Sequence, residues 1–303
     1  MVVRMGRASS RWPSSTSISP CSAACSTDAP SSDLGTISTY KLPLTASSKR
    51  LQKVQFTMSG SGPVASRQNG PHPHSSTTDP TGKFLLVPDL GADLIRIFSI
   101  NANSGELTTC PAAKAGAGDG PRHATWWAPK AGSTNGQMLY TVNELGNSVS
   151  AWQVTYPAAA GGCLSLDRTQ TLSTFPAGAK IPSGNLPAKA AEVHVSGNFL
   201  YAANRNDQTF GSQQDSIATY TIGPKGAISF VELTNAHSWY VRTFALNKAG
   251  TLLAVGGQTS SNVAILARNA TSGKLGGLLA SVNVASPGTD GGEDGLSSVI
   301  WDE

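Results

Sequence analysis

The chain contains four apolar runs of strand length that end in polar residues and align with one another without gaps. They are Lys83–Asp89, Met138–Glu144, Phe199–Arg205 and Leu252–Gln258. Consecutive runs start between 53 and 61 residues apart. Self-similarity at a period of this length is typical of proteins built from repeated supersecondary units.

The four runs also lie in similar surroundings. A strand-like segment and a turn precede each run, and a turn and an alternating strand follow it. The preceding segments begin at His74, Arg122, Ala191 and Arg242, and the following strands at Asp93, Ser148, Ser216 and Asn262. A further strand follows three of the runs after a Gly-rich turn. Four strands per repeat predict an all-β chain built as a β-propeller. A sandwich or barrel would not require the same pattern to recur four times.

The two ends of the chain are less regular. Thr36–Leu42 and Leu51–Met58 are predicted to be the outer strands of one more blade, and Gly295–Glu303 a lone inner strand. In a closed ring, such a strand pairs with N-terminal strands. Residues 1–34 show no period, so we expect an irregular segment that supplies no good closing strand. Residues 35–303 form the predicted propeller domain.

Composition supports the all-β prediction. Charged residues make up only 13% of the chain, whereas the 32 glycines and 18 prolines provide many turns. The net charge is +4, but the basic residues are scattered, so we expect no nucleic-acid partner. No apolar stretch approaches membrane-spanning length, so we also expect no membrane partner.

The cysteines and the chain start predict a cytoplasmic protein. Cys21, Cys25, Cys110 and Cys163 are scattered and are expected to be reduced thiols, and no second Cys or His pair completes a zinc site. The first residues lack the apolar region of a secretory signal. The glycosylation sequon Asn269–Thr271 is therefore interpreted as a hairpin turn.

Four motifs in chain order carry a resemblance to a known family. They are Gly70-Pro-His-Pro-His74, Gly120-Pro-Arg-His123, Val142-Asn-Glu-Leu145 and Ala202-Ala-Asn-Arg205, supported by Ala190–His194 and Val241–Phe244. Over residues 35–303 the chain resembles the seven-bladed lactonase family. That family contains bacterial 6-phosphogluconolactonases and the fungal enzymes that lactonise carboxy-cis,cis-muconate. Seven blades need more residues than are present, so we expect a propeller that is incomplete at its N-terminus.

The repeat register predicts where the polar side chains lie. The innermost strand of each propeller blade lines the central channel, and the loops at one mouth converge on it. His74, Arg122 and Arg242 each open a predicted inner strand. The second strands end, at the same mouth, in Asp89, Glu144, Arg205 and Gln258. We therefore expect residues from successive blades to meet around one cavity.

The resemblance implies that His74, Arg122, Glu144 and Arg205 are catalytic residues. The arginines can bind a carboxylate or phosphate with forked hydrogen bonds, or stabilise a developing oxyanion. Glu144 or His74 can transfer the proton. The expected further substrate contacts are His194, Arg242, Gln258 and His72.

Three functions are compatible with these residues. The first is metal-independent hydrolysis of a sugar-acid lactone such as 6-phosphogluconolactone, and the second is lactone formation by a carboxy-cis,cis-muconate cycloisomerase. Both imply a small anionic lactone or carboxylate as substrate. The third is a non-catalytic interaction propeller, but the Trp-Asp dipeptide of such proteins occurs only at Trp301-Asp302. Arginines at matching positions argue against a metal, and no phosphate-binding loop indicates a cofactor. The sequence predicts no oligomeric state.

Overall fold

The computed structural model describes residues 2–6, 22–26, 35–130, 132–133, 136–290, 292 and 294–303, with the backbone alone for the first two ranges. All regular secondary structure within these ranges is β-strand. The all-β prediction is therefore confirmed.

None of the described residues forms a helix with the length and hydrophobicity needed to cross a bilayer.

The chain begins with strands outside the four complete sheets. They are β1 (Val2–Gly6), β2 (Ser22–Ser26), β3 (Thr36–Tyr40) and β4 (Arg50–Gln55). The four complete sheets follow and are called blades A to D. Blade A contains β5 (Thr77–Thr78), β6 (Phe84–Asp89), β7 (Leu94–Ile100) and β8 (Leu107–Lys114). Blade B contains β9 (Pro121–Trp127), β10 (Met138–Asn143), β11 (Ser148–Thr155) and β12 (Ser165–Ser173).

Blades C and D complete the series. Blade C contains β13 (Lys189–Ser196), β14 (Phe199–Arg205), β15 (Ser216–Ile222) and β16 (Ile228–Asn235). Blade D contains β17 (Val241–Leu246), β18 (Leu252–Gly257), β19 (Asn262–Arg268) and β20 (Leu275–Asn283), and the chain ends with β21 (Ser298–Asp302). Strands are hydrogen-bonded in sequence order within every blade, so each blade is an antiparallel meander.

Two strands differ from the sequence prediction. Blade B has a fourth strand, β12, which the sequence analysis did not identify because the Gly-rich turn before it, at Gly161-Gly162, follows the third strand at a longer spacing than in the other blades. The predicted inner strand of blade A is reduced to the two residues of β5 and an isolated bridge between Pro73 and Asp89.

The chain ends are paired more extensively than expected. β2 joins β3 and β4 in a three-stranded sheet, and β1 pairs antiparallel with β21, with Val2 opposite Asp302. The expectation that the first 34 residues supply no strand to pair with the chain end was therefore wrong. Residues 7–21 and 27–34 lie outside the described residues, and their irregularity stays a prediction.

The described residues divide into two compact units. The N-terminal unit consists of β2, residues 35–146 and Ser150–Gln170, and the C-terminal unit consists of β1, Asn147–Val149 and Thr171–Glu303. In the N-terminal unit, apolar side chains of blades A and B share one core that contains Leu86, Ile97 and Trp152. Burial of these apolar faces is the main stabilising contribution within the unit.

The core of the C-terminal unit joins blades C and D. Tyr201 and Ile217 of blade C pack with Phe244 and Leu253 of blade D, and all four side chains are at most 1% exposed. Buried Arg268 adds a polar connection, because its guanidinium donates to the hydroxyl of Tyr201 and to the backbone carbonyl oxygen of Ser196. These donors are therefore satisfied where they are shielded from water.

A disulfide connects Cys110 of blade A to Cys163 of blade B. Cys110 lies in β8 and is buried, whereas Cys163 lies in the connection between β11 and β12. The expectation that these two cysteines are reduced thiols was wrong. Sequence spacing could not reveal the pair, because the two residues are 53 positions apart and become neighbours only when the blades pack.

We expect the disulfide to stabilise the N-terminal unit. Closing a loop of 53 residues restricts the unfolded chain and corresponds to about 4 kcal/mol in the chain-entropy model. A reductant should therefore lower the Tm, and the double variant Cys110→Ser/Cys163→Ser should show the lower Tm with or without reductant. The same Tm for the reduced and oxidised wild-type chain, or four reactive thiols in denatured unreduced protein, would contradict the prediction.

Candidate active site

The inner strands of blades B and D carry a β-bulge at the same point. In blade B, Pro121 pairs with Asn143 and His123 pairs with Val142, so Arg122 is the extra residue. In blade D, Val241 pairs with Gly257 and Thr243 pairs with Gly256, so Arg242 is the extra residue. A bulge redirects the side chain at the break in the ladder. The two arginines therefore occupy equivalent positions in their blades.

Blade C has a corresponding bulge with a different residue. Ala190 pairs with Asn204 and Val193 pairs with Ala202, so the bulge falls at Ala191 and Glu192. Alignment on the paired residues places Ala191 where the other two blades have arginine. Not every bulge therefore supplies a cation.

The same pairing corrects the predicted alignment of blade A. Asp89 bridges Pro73 and thus corresponds to Asn143, whereas Leu90 corresponds to Glu144. The carboxylate of Asp89 accepts hydrogen bonds from the backbone N–H of His72 at 2.7 Å and from Nε of Arg96 at 2.7 Å. Asp89 therefore stabilises the turn and is not the equivalent of Glu144.

Glu144 lies at the centre of the ion-pair cluster in the N-terminal unit. Its Oε2 accepts a hydrogen bond from Nε of Arg122 at 3.1 Å, and its Oε1 accepts one from Nη2 of Arg67 at 2.8 Å. The side chains of Arg122 and Glu144 are each 1% exposed, whereas that of Arg67 is 38% exposed. A buried carboxylate is stable only when paired, and here both of its oxygens are paired.

Two histidines adjoin this cluster. Nη1 of Arg122 lies 3.2 Å from Nε2 of His123, and the ring of His123 packs against the ring of His74 with centroids 5.1 Å apart. His74 precedes β5, and its backbone N–H donates to the carbonyl oxygen of Pro88. The structure thus brings His74, Arg122 and Glu144 into one group, and their catalytic roles stay a prediction.

His72 lies close enough to this group to be influenced by its charges. Burial first, and then the positive charge of Arg67, lower the pKa of His72, while Asp89 and Glu144 act in the opposite direction. Nε2 of His72 is 2.9 Å from Oδ1 of Asn69. At neutral pH the ring is therefore an uncharged hydrogen-bonding group.

In the C-terminal unit, Arg205 is the buried cation at the end of β14. Its side chain is 3% exposed, and its guanidinium carbon lies 5.2 Å from the ring centroid of Tyr240. Nη2 also donates to the carbonyl oxygen of Ala190 at 3.4 Å. Stacking on an aromatic face orients the guanidinium plane and leaves its edge suited to binding an anion.

His194 and Gln258 lie in the same unit. The ring of His194 packs edge-on against Phe244 with centroids 5.0 Å apart, and its Nε2 is 3.7 Å from Oε1 of Glu192. Gln258 follows β18, its side chain is 1% exposed, and its Oε1 accepts no hydrogen bond from the described residues. That buried acceptor is suited to binding a hydroxyl group of a substrate.

The predicted residues therefore form one group in each unit. His72, His74, Arg122 and Glu144 belong to the N-terminal unit, and His194, Arg205, Arg242 and Gln258 belong to the C-terminal unit. Their convergence around one opening stays a prediction of the repeat register. Among the described residues, no group of three or more His, Cys, Asp or Glu side chains could hold a metal ion.

Sequence reasoning missed Arg67 and Tyr240. Arg67 lies in the connection between β4 and blade A, where no repeat pattern marks it. Tyr240 directly precedes the predicted Val241–Phe244 motif, but only a structure shows that its ring supports Arg205. A search for Arg and aromatic residues in the connections leading into each blade could have found both.

A pair of buried carboxyl groups follows Arg205 in the sequence, in the long connection between β14 and β15. Asp207 and Asp215 lie close enough for each to influence the pKa of the other. Burial, followed by the charge of Asp207, raises the pKa of Asp215 to about 7, and burial also raises the pKa of Asp207. Two adjacent carboxylates cannot both ionise at low cost, so the pair shares a proton.

Successive four-stranded meanders, two of them with an arginine at the bulge of the inner strand, define the chain as a β-propeller with a polar group in each unit. The family model described as "Lactonase, 7-bladed beta-propeller" matches residues 31–289. A protein of Arthroderma benhamiae, named a probable 6-phosphogluconolactonase, is 36% identical over 73% of this chain and 53% of its own length. A 6-phosphogluconolactonase of Formosa agariphila is 31% identical over 79% of this chain and 62% of its own length.

A solved structure shows the same likeness. The periplasmic gluconolactonase of Pseudomonas aeruginosa superposes with a TM-score of 0.68 at 26% identity, over 88% of this chain and 68% of that one. This chain belongs to the seven-bladed β-propeller lactonase family. It spans between half and two thirds of the length of the two relatives named above.

We expect Glu144→Gln to destabilise the chain far more than loss of an exposed ion pair. Neutralising Glu144 leaves Arg122 buried without its counter-charge, which typically costs about 3–5 kcal/mol. The control Lys274→Gln removes a pair with Glu232 in which the lysine side chain is 61% exposed, and should cost at most about 1 kcal/mol. Urea unfolding gives both free energies, and equal losses would show that the Arg122–Glu144 pair is not specially stabilising.

We expect the Asp207–Asp215 pair to make stability fall as pH rises from about 4 to about 7. The folded pKa of Asp215 is above its unfolded value, so the folded chain retains a proton that the unfolded chain releases. Asp207→Asn keeps the size of the side chain but removes the charge that raises the pKa of Asp215, and should flatten the fall. Unfolding free energies of both proteins across this range test the prediction, and parallel curves would refute it.

Proposed function

We propose that this chain is a lactonase that hydrolyses the ester bond of a sugar-acid lactone, such as 6-phosphogluconolactone. The observation that carries the proposal is the buried Arg122–Glu144 pair with His123 and His74 beside it. The names of the relatives from Arthroderma benhamiae and Formosa agariphila support the substrate class.

The proposed chemistry is attack of water on the lactone carbonyl carbon. The carbon–oxygen bond to water forms, and the carbonyl electrons move onto its oxygen as a tetrahedral oxyanion. When the oxyanion collapses, the bond to the ring oxygen breaks and that oxygen takes a proton. One water is consumed, and the product is the open hydroxy acid.

Arg122 is suited to stabilising the oxyanion. Its bonds to Glu144 and His123 fix the orientation of the guanidinium before substrate binds. A cation held in a buried position stabilises developing negative charge without reorganising at the moment of reaction. An arginine in this role supports hydrolysis without a metal ion.

His74 is the better candidate for the general base. Both oxygens of Glu144 already accept hydrogen bonds from arginines, so Glu144 is suited to holding Arg122 in place. A half-buried imidazole such as His74 can take the proton from water and return it to the leaving oxygen.

Arg205 and Arg242 are proposed to bind the anionic group of the substrate. A guanidinium recognises a phosphate or carboxylate with two parallel hydrogen bonds. Gln258 is proposed to bind a sugar hydroxyl through its buried Oε1, and His194 and His72 are proposed to make further contacts.

We expect the purified chain to accelerate loss of 6-phosphogluconolactone above its spontaneous hydrolysis. Arg122→Gln removes the proposed oxyanion contact and should lower kcat by roughly 10²–10³-fold. Arg50→Gln, on exposed β4, is the matched control and should retain the wild-type rate. Titration of released acid at constant pH measures all three proteins, with folding checked by circular dichroism.

The outcomes separate the candidate functions. Turnover of carboxy-cis,cis-muconate, followed by its absorbance, without lactone hydrolysis would replace the proposal with the cycloisomerase alternative. No turnover of either compound would favour a non-catalytic propeller. Equal rates for Arg122→Gln and wild type would exclude Arg122 from the mechanism.

A further inference from the structure

One residue recurs immediately before the third strand of every blade. Its backbone carbonyl oxygen accepts a hydrogen bond, 2.9 Å long in each blade, from the first amide after the fourth strand. The donor–acceptor pairs are Ala115–Asp93, Thr174–Asn147, Ala236–Asp215 and Val284–Ser261. The four acceptor residues, called the clamp residues, thus occupy the same place in their blades.

The clamp residue of blade A reaches the connection that leads into blade B. Oδ2 of Asp93 accepts a hydrogen bond from the N–H of Gly118, and Oδ1 accepts one from the N–H of Gly120, both at 2.7 Å. Gly120 lies two positions before Arg122, and its carbonyl oxygen accepts from the N–H of Glu144 at 2.9 Å. The Asp93 carboxylate therefore fixes the backbone that carries both members of the buried ion pair.

The clamp residue of blade C repeats this arrangement toward blade D. Oδ2 of Asp215 accepts hydrogen bonds from the N–H of Tyr240 at 2.6 Å and of Val241 at 3.4 Å. Tyr240 lies two positions before Arg242, and its carbonyl oxygen accepts from the N–H of Gln258 at 2.9 Å. The two aspartates, in different units, thus share one equivalent bond, from the backbone N–H of the residue two positions before the arginine.

Backbone conformation supports the equivalence. Gly120 and Tyr240 both have positive φ, at 60° and 57°. A tyrosine rarely adopts this left-handed conformation, so neighbouring contacts must impose it. At Gly120 a side chain is excluded, because an added Cβ would lie 2.7 Å from Cγ of Leu145.

Blade B provides the internal comparison. Its clamp residue is Asn147, which donates from Nδ2 to the carbonyl oxygen of Ala188 at 3.0 Å. The inner strand that follows has Ala191 at the bulge position instead of an arginine. An acidic clamp residue therefore occurs in the two cases where the next bulge supplies an arginine.

We infer that Asp93 and Asp215 are positioning residues for lactone hydrolysis: each carboxylate holds the backbone turn that places Arg122 with Glu144, or Arg242 with Gln258. This inference rests on the proposed function, because it assigns a purpose to the placement of those side chains. Neither aspartate needs to touch the substrate. Each acts through the turn of the following blade.

The test uses Asp93→Asn and Asp215→Asn in the full chain. Each substitution turns one acceptor oxygen into a donor that faces a backbone N–H, so the turn loses a hydrogen bond. Amide hydrogen exchange at Glu144 and Gln258, measured without substrate, reports whether the two turns have loosened. We expect faster exchange at Glu144 in the first variant and at Gln258 in the second.

Kinetics then separate positioning from stability. Displacing a catalytic group by about 1 Å can cost roughly 10²-fold, so kcat for 6-phosphogluconolactone should fall by about that factor in Asp93→Asn. The matched control is Asp79→Asn. Asp79 accepts hydrogen bonds from the backbone N–H groups of Lys83 and Phe84, where β6 begins. The polar site residues follow the other end of that strand, at Asp89. This variant should lower the Tm but keep the wild-type kcat.

Each outcome has one meaning. A wild-type chain without turnover would defeat the proposed function, while hydrogen exchange would still test the clamp. Faster exchange with unchanged kcat would overturn the positioning inference, as would an equal loss of kcat in Asp79→Asn. If Asp93→Asn does not fold, Asp93→Glu keeps both acceptor oxygens one methylene further out. It should then give a smaller loss of kcat, and a wild-type kcat would count against positioning.

Discussion

One backbone hydrogen bond fixes the polar end of three blades. The first residue after the second strand donates its N–H to a carbonyl oxygen two positions before a candidate site residue. The donor–acceptor pairs are Leu90–His72, Glu144–Gly120 and Gln258–Tyr240, at 2.9–3.0 Å. This bond makes His74, Arg122 and Arg242 equivalent. A one-residue slip in a strand would turn its side chains to the opposite face, so the candidate sites depend on this register.

Much of the fold could be predicted because each blade repeats the same apolar run between the same turns. The outer strands of blades A, C and D follow recognisable hairpins. The alignment of Asp89 with Glu144 was wrong by one residue, because a match of apolar runs does not by itself fix the register of β6 against β10, which the pairing of Asp89 with Pro73 and of Asn143 with Pro121 does. Pairing between strands decides such offsets.

The site could be predicted only where the repeat carries it. His74, Arg122 and Glu144 occupy repeat positions, and the structure groups them. Arg67 lies in a connection outside the repeated strands, so no repeat position indicates that it contacts Glu144. The bond between Cys110 and Cys163 depends on packing between two blades, and sequence distance holds no information about that packing.

The charged groups around Glu144 lose hydration free energy when they are buried, and the ion pairs and hydrogen bonds of the cluster offset that loss. Removing Arg122 and Glu144 from water is unfavourable, and their attraction compensates only when the remaining hydrogen-bonding groups are satisfied. Arg67 supplies the second guanidinium from a partly exposed position, and Nη1 of Arg122 lies near His123. A pair of apolar residues of similar volume would avoid this desolvation cost, so stability alone does not explain the buried ions.

The bulges of β9, β13 and β17 determine what a substitution there changes. A residue at a bulge has no partner in the ladder, so exchanging it disturbs few cross-strand contacts. The three blades already carry two residue types there, an arginine at Arg122 and Arg242 and an alanine at Ala191. Replacement of such a residue would therefore change the charge at the end of a blade without removing a ladder hydrogen bond, although at Arg122 it would also leave buried Glu144 without one of its two partners.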